Sequence, residues 1–318
     1  MAGPVLVTGA AGFAGSHLVD LLATSEDPIM AWCRPGGRGP REVPHTAWEA
    51  IDLLDRDAVR TAIARARPRA VYHCAGAAHV AHSWDRVEST FAANVRGTHN
   101  LFDALLAEQP DARVLLTSSS MVYATADEPL AEEDRLAPGN PYGLSKLAQE
   151  LLAEHTPRLP ILIARPFNHC GPRQDPFFVA SSFARRIADI EAGRWESEIA
   201  VGNLDARRDL TDVRDTVRAY RLILERGEPG RAYNVCSGRA MAIRELLDRM
   251  LTRARVPIPV RIDPARFRPN DIPLVVGNPA RITRELGWAP QIPFDRTLDD
   301  LLDYWRANPA WERPLETA

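Results

Sequence analysis

The sequence predicts an α/β protein built on a doubly wound parallel sheet, and three observations carry that expectation. A short apolar strand at residues 4–7 runs into a glycine-rich turn, Thr8-Gly9-Ala10-Ala11-Gly12-Phe13-Ala14-Gly15, and then into an amphipathic segment. Strand-length apolar runs alternate with helix-period segments through the first half, the signature of parallel strands joined by helical crossovers. The chain has 318 residues, 45% hydrophobic and 25% charged, enough to bury a full core in one large domain or two joined ones.

In order along the chain, Gly9 is expected to permit a tight turn after the first strand. Gly12 lets backbone N–H groups approach a pyrophosphate at the helix N-terminus, and Gly15 lets helix and sheet pack closely. The spacing is Gly-x-x-Gly-x-x-Gly rather than the commoner Gly-x-Gly-x-x-Gly. A strand is expected at 29–33, a helix at 55–67, a strand at 70–74, a long helix at about 87–108 and a strand at 113–117. A nucleotide would lie across the carboxyl ends of these strands, where Asp52-Leu53, Ala75-Gly76-Ala77 and Ser118-Ser119 emerge.

The end of the second strand discriminates between nicotinamide cofactors, because a carboxylate there accepts from a free ribose 2'-hydroxyl and repels a 2'-phosphate. Here that residue is Arg34, and residues 29–41 hold no carboxylate. Arg34, Arg38 and Arg41 offer planar donors suited to phosphate oxygens, so NADP(H) is expected ahead of NAD(H). The competing reading is arginines decorating a Gly/Pro-rich surface loop.

Tyr142 and Lys146, four residues apart in Asn140-Pro141-Tyr142-Gly143-Leu144-Ser145-Lys146, share a helix face. An ammonium beside the phenol favours phenolate and is expected to lower its pKa, making it an acid or base near neutrality. Ser119, in Ser118-Ser119-Ser120, would bond the same substrate oxygen from across the cleft. The set describes interconversion of carbinol and carbonyl. Singly, the pair is an ordinary solvated helix pair and the serines are a loop; their order after a glycine turn favours catalysis.

A formal net charge of -3 lacks the basic excess of a nucleic-acid binder. Cys33, Cys74, Cys170 and Cys236 are scattered without a Cys-x-x-Cys pair and are expected to be reduced, buried thiols. His73, His79, His82 and His99 lack acidic or thiol partners at ligand spacing, so no metal site is expected. With no apolar run of membrane-spanning length and no secretion signal before the first strand, a cytoplasmic protein that engages no membrane is expected.

With glycine turn, Asn94, Ser119, Tyr142 and Lys146 in sequence, nearly the whole chain resembles the extended short-chain dehydrogenase/reductases. That resemblance implies a Rossmann domain and a smaller C-terminal substrate-binding domain. The expected division is 1–168 with 206–238 returning to it, against 169–205 and 239–318. It implies a catalytic set of Ser119, Tyr142 and Lys146, the lysine also bonding the nicotinamide ribose. Its cofactor residues would be Gly9, Gly12, Phe13, Ala14, Gly15, Arg34, Asp52, Leu53, Ala75, Ala77, Asn94, Tyr142 and Lys146, with Asp52 reaching the adenine. It also implies a homodimer through the helices beginning near Val87 and Tyr142.

The second half looks like the GDP-sugar branch of that family, which contains 4,6-dehydratases and 4-keto-6-deoxy-mannose reductases. The matching runs include Arg165-Pro166-Phe167-Asn168-His169-Cys170-Gly171-Pro172 and Val201-Gly202-Asn203-Leu204-Asp205-Ala206-Arg207-Arg208-Asp209. A sugar nucleotide needs fixed cations for its diphosphate, here Arg185 and Arg208, and a neutral amide for its hydroxyls, here Asn168. Ser120 and Val179 complete the expected substrate contacts, with Arg268 and Asp271 in a segment usually written Arg-Pro-Ser-Glu that here ends Asn270-Asp271. Arg173 stands where reductases often have glycine. Dehydratases place an acid and a base just after the catalytic Ser/Thr; here those positions are Ser120 and Met121. The expected reaction is therefore NADPH-dependent reduction of GDP-4-keto-6-deoxy-D-mannose to GDP-D-rhamnose in deoxysugar biosynthesis. A nucleotide-sugar 4-epimerase, a 4,6-dehydratase and a non-enzymatic NADP(H)-sensing protein are the alternatives.

Overall fold

A computed structural model describes residues 3–36, 41–267 and 272–309. The first half runs β1 (Val5–Thr8), α1 (Phe13–Leu22), β2 (Ile29–Cys33), β3 (Thr46–Ala50), α2 (Arg56–Ala66), β4 (Ala70–His73), α3 (Val87–Phe91), α4 (Gly97–Glu108), β5 (Arg113–Thr117) and α5 (Pro141–Glu154). The second runs β6 (Ile161–Pro166), β7 (Asn168–Cys170), α6 (Val179–Glu191), β8 (Ile199–Val201), β9 (Arg207–Asp212), α7 (Val213–Arg226), β10 (Ala232–Val235), β11 (Ala240–Ala242), α8 (Ile243–Leu251), β12 (Val260–Ile262), β13 (Leu274–Val275), α9 (Ala280–Leu286) and α10 (Phe294–Ala307).

Seven strands form one parallel sheet in the order β10-β6-β5-β4-β1-β2-β3. The chain leaves β1 toward β2 and returns on its other side as β4, so the topological switch lies between β1 and β4, where this fold class binds ligands. Strand alternation sends Val5, Val7, Leu115 and Leu162 to one face, under Leu18 of α1 and Val217, Tyr220 and Ile223 of α7. Leu6, Val71, Val114 and Leu116 point to the other, under Ile63 of α2 and Leu101 and Leu105 of α4. The expected long helix exists as α3 and α4 joined by a π-helical turn, Ala92–Arg96. β3 was not expected: Thr-Ala-Trp-Glu-Ala at this sheet edge is only partly buried, which leaves no clean apolar pattern to find.

The smaller sheet aligns β11, β9 and β13, with β7 also paired to β9. A separate core joins Phe183 and Ile187 of α6, Leu246 and Met250 of α8, and Leu298, Leu302 and Trp305 of α10. Ile282, Leu286 and Trp288 depart from that grouping by packing into the first core beside α7. Their anchor is Asp215, which accepts the Gln291 and Ile292 N–H groups at 2.9 Å each.

Beneath the carboxyl edge of the sheet lies a buried ion pair. Glu150 of α5 and Arg165 of β6, each 5% exposed, are joined by two bonds of 3.0 and 2.7 Å. Glu150 also accepts from Ser118. Arg165 donates further to the Tyr123 hydroxyl at 2.8 Å and the Glu132 carbonyl at 3.0 Å. Removing one partner of such a pair strands the other charge in a low-dielectric interior. Glu150→Ala is therefore expected to lower unfolding free energy by about 3 to 5 kcal/mol; urea denaturation with an unchanged m-value checks it.

Candidate active site

The glycine turn is built for close approach. Gly9 takes φ +67°, and a Cβ there would sit 2.7 Å from the Ala75 backbone, so this position requires glycine on two counts. A methyl on Gly15 would run into the Gly9 carbonyl, so its constraint comes from the turn itself rather than from the sheet as expected. Gly12 caps α1 in an extended conformation with no side chain satisfying the first-turn N–H groups, leaving that end open to an anion. Phe13 stacks on His169 at 5.6 Å, linking the turn to the second half of the chain.

Arg34 follows β2 and is exposed, while Arg38 lies outside the described residues. Arg41 is spent on α1, pairing with Asp20 at 2.8 Å and donating to the Ser16 carbonyl at 3.1 Å. Asp52 and Leu53 emerge after β3; Asp52 accepts the Leu54 N–H at 2.9 Å, and the Leu53 carbonyl accepts from Asn100 at 2.8 Å.

Asn94, fully buried in the π-helical turn, ties the loop after β4 to α5. Its Oδ1 accepts the Ala77 N–H at 2.7 Å and its Nδ2 donates to Ser145 Oγ at 2.8 Å. Gly76, at φ +154°, has no room for a Cβ, which would lie 2.5 Å from Asn94 Oδ1. The extra residue of a π turn thus turns a helical side chain back onto the strand-end loop.

Ser119, Tyr142 and Lys146 converge. Tyr142 is buried and hydrogen-bonded to Ser119. Lys146 is 5% exposed and donates to the Thr117 carbonyl at 2.9 Å, with Nζ 5.9 Å from the centre of the Tyr142 ring. The lysine does not lower the phenol pKa as the spacing leads one to expect. Burial pushes the Tyr142 pKa up, and the Ser119 bond draws it partly back, because the ammonium turns to the Thr117 carbonyl rather than to the hydroxyl. Burial in turn lowers Lys146 to about 8, with Cys74 and Glu150 resisting.

In the second half, the Asn168 Oδ1 is buried without a hydrogen-bond partner, and Val179 opens α6 half-buried. Arg185 is turned inward, 3.5 Å from Asp189 and stacked over Trp305. Its neighbour Arg186, not singled out from the sequence, has a buried Nε without a partner and lies 4.0 Å over the Trp195 ring. Only a resolved side-chain direction separates these two adjacent arginines. Arg208 donates to the Arg207 carbonyl at 2.9 Å. Arg173 takes φ +73°, a backbone conformation that favours glycine, and its guanidinium reaches Asp20 at 2.7 Å. Arg268 and Asp271 lie outside the described residues. Ser120 is buried and, with Met121 and Asn140, lines a cavity of about 20 Å³ with no acid among the described residues that line it. A groove of about 410 Å³ between Pro110, Pro160 and Pro229 holds none of these residues.

A sequence model of the GDP-mannose 4,6 dehydratase family matches residues 6–301. GDP-6-deoxy-D-mannose reductase of Pseudomonas aeruginosa is 37% identical, with 96% of this chain and 97% of that protein aligned. UDP-glucose 4-epimerase 2 of Oryza sativa is 28% identical, over 96% of this chain and 82% of that one. The structure of RMD from Pseudomonas aeruginosa complexed with NADPH superposes with a TM-score of 0.85 at 35% identity, covering 96% of this chain and all of that one, 100%. With the glycine turn, the seven-stranded parallel sheet and the Ser119, Tyr142 and Lys146 cluster all in place, the chain belongs to the GDP-mannose 4,6 dehydratase family, within the extended short-chain dehydrogenase/reductases.

Proposed function

We propose that this protein reduces a 4-keto nucleotide sugar with NADPH, converting GDP-4-keto-6-deoxy-D-mannose to GDP-D-rhamnose. The observation that carries the reading is a complete Ser119, Tyr142 and Lys146 cluster followed by Ser120 and Met121, where a dehydratase needs an acid and a base. The likeness to a GDP-6-deoxy-D-mannose reductase supports the same choice. The family model and the 28% identical UDP-glucose 4-epimerase fit the dehydratase and epimerase alternatives, but the 37% identity to a reductase and Ser120-Met121 after Ser119 weigh against them, and a purely NADP(H)-sensing protein has no use for the buried Tyr142 and Lys146.

The open N-terminus of α1 and the close-packed Gly9 and Gly12 fit a dinucleotide pyrophosphate. Arg34 would hold the 2'-phosphate, Asp52 and Leu53 the adenine side, and Ala75, Ala77 and Asn94 the wall beside the nicotinamide. Bound NADPH would supply the hydride that reaches sugar C4. Ser119 holds the ketone oxygen beside Tyr142, whose hydroxyl gives that oxygen its proton as the carbinol forms. Charged Lys146 steadies the phenolate until solvent returns the proton. Asn168 and Val179 line the sugar, and Arg208 with Arg186 in place of the inward-turned Arg185 faces the diphosphate. Arg268 and Asp271 remain assigned to the nucleotide by resemblance.

The proposed domain division is 1–168 with 206–238 for the cofactor, against the remainder for the substrate, with Ile282 to Trp288 credited to the first core. A homodimer is proposed through α3, α4 and α5, where Val87, Leu144 and Leu151 stand 43%, 50% and 48% exposed. No helix among the described residues is long and apolar enough to cross a membrane, and a cytoplasmic location is proposed with the biosynthetic role.

The decisive assay offers GDP-4-keto-6-deoxy-D-mannose and NADPH, with GDP-mannose alone as the second arm. NADPH oxidation in the first and no keto sugar in the second are expected; a keto sugar from GDP-mannose without added NADPH assigns the protein to dehydration. Tyr142→Phe should abolish turnover while leaving NADPH affinity nearly intact, and Lys146→Met should damage both, as read by steady-state kinetics and cofactor titration. Arg34→Ala loses a charge-assisted bond of about 1.5 to 3 kcal/mol, weakening NADPH roughly ten- to a hundredfold. NADH affinity measured alongside should hardly move.

A further inference from the structure

The loop between β4 and α3 makes contacts that cofactor binding does not explain. Beyond Ala77 it passes through His79 and Val80 into a single turn, Ala81–Ser83. Ser83 is 1% exposed. Its hydroxyl donates to the Val80 carbonyl at 2.6 Å and accepts the backbone N–H of Tyr142 at 3.2 Å. Tyr142 is the second residue of α5, in the turn where N–H groups have no intrahelical acceptor. The helix's own cap, Asn140, satisfies Gly143 at 2.8 Å, so the Tyr142 N–H is met from outside the helix.

The other side of the same loop is clamped as well. His79 stacks on Phe178 at 5.1 Å, and His82 stands edge-on to Phe177 at 4.9 Å. Phe178 immediately precedes α6, so the loop spans from the start of α6 to the start of α5. Meanwhile the far side of α5 cannot yield, because a Cβ on Gly143 would already overlap the Met121 carbonyl just beyond Ser119.

We propose that Ser83 is a positioning residue for proton transfer. By capping α5 from the β4 loop it sets the height of Tyr142 against Ser119 and the substrate oxygen. The proposal rests on Tyr142 being the proton donor and adds the group that holds it there. A displacement of about 1 Å at a reacting group costs on the order of a hundredfold in rate, whereas binding surfaces tolerate it.

In the full-length protein, Ser83→Ala is expected to lower kcat for NADPH oxidation roughly ten- to a hundredfold, with KM for the keto sugar and Kd for NADPH within about twofold of the parent. Amide exchange over residues 140–146 of the unliganded protein should accelerate in the same variant. A parental kcat, or an equal loss of NADPH affinity and kcat, overturns the proposal, as does unchanged exchange. If Ser83→Ala is recovered unfolded, Phe177→Ala loosens the same loop from its other side and carries the same test. The two levels separate cleanly: an active Tyr142→Phe sinks the reductase mechanism itself, whereas an inactive Tyr142→Phe beside a fully active Ser83→Ala sinks only the role of Ser83.

Discussion

Burying the polar face of α5 against the carboxyl edge of the sheet is the constraint on which the rest of the site depends. Tyr142, Ser145, Lys146, Gln149 and Glu150 are all buried, an unusual load for one helix face. Each needs a partner; Tyr142, Lys146 and Glu150 find theirs at Thr117 to Ser119, where β5 ends, and the others on the π-helical turn and α4, with only Gln149 Oε1 left over. Ser145 meets Asn94, Lys146 meets the Thr117 carbonyl, Gln149 meets Thr98, and Glu150 meets Ser118 and Arg165. Unpaired, any of them would cost more than it returns, so the helix has one favourable seat.

That seat also disposes of the charges. His73, bonded to Thr8 and Thr98 at 2.8 Å each, is kept neutral: burial lowers its pKa to about 3, and Lys146 pushes the same way. Lys146 is therefore, with Arg165, one of two buried cations here, facing Glu150 of α5 and Cys74 just after β4. A cofactor bringing ribose hydroxyls and phosphates would add acceptors where the protein has placed donors. The fold carries the desolvation cost of Lys146, part of which such a cofactor would offset on binding.

The sheet and its switch point were legible because glycine spacing and strand patterning are local signals. Gly9, Gly12 and Gly15 announce a turn whatever surrounds them, and residues 4–7, 29–33 and 113–117 are continuous apolar runs. The convergence of Ser119, Tyr142 and Lys146 was legible as residue types in order. What stayed hidden depends on where side chains turn. Arg185 and Arg186 are identical in the sequence, yet one stacks on Trp305 and the other on Trp195. The direction of the phenol's pKa shift was hidden for the same reason, since spacing brings Lys146 to the right face but its ammonium turns to the Thr117 carbonyl. Ser83 left no signal, because its partner is a backbone N–H 59 residues away.

A family named for dehydration can hold a reductase because the frame and the acid-base chemistry are separable. The frame is α5 with its polar partners; the resemblance to dehydratases would place their acid and base at the two positions after Ser119, here Ser120 and Met121. Here Met121 packs beside Val122, Tyr123, Leu130 and Phe167 and contacts the Asn140 amide through its sulfur. A carboxylate placed there would lie against that apolar cluster, with burial raising its pKa and few donors to hold its charge. Restoring a dehydratase would therefore take more than Met121→Glu. The surrounding wall would have to exchange apolar contacts for donors, so position 121 and its neighbours form one packed unit that a single substitution would not convert.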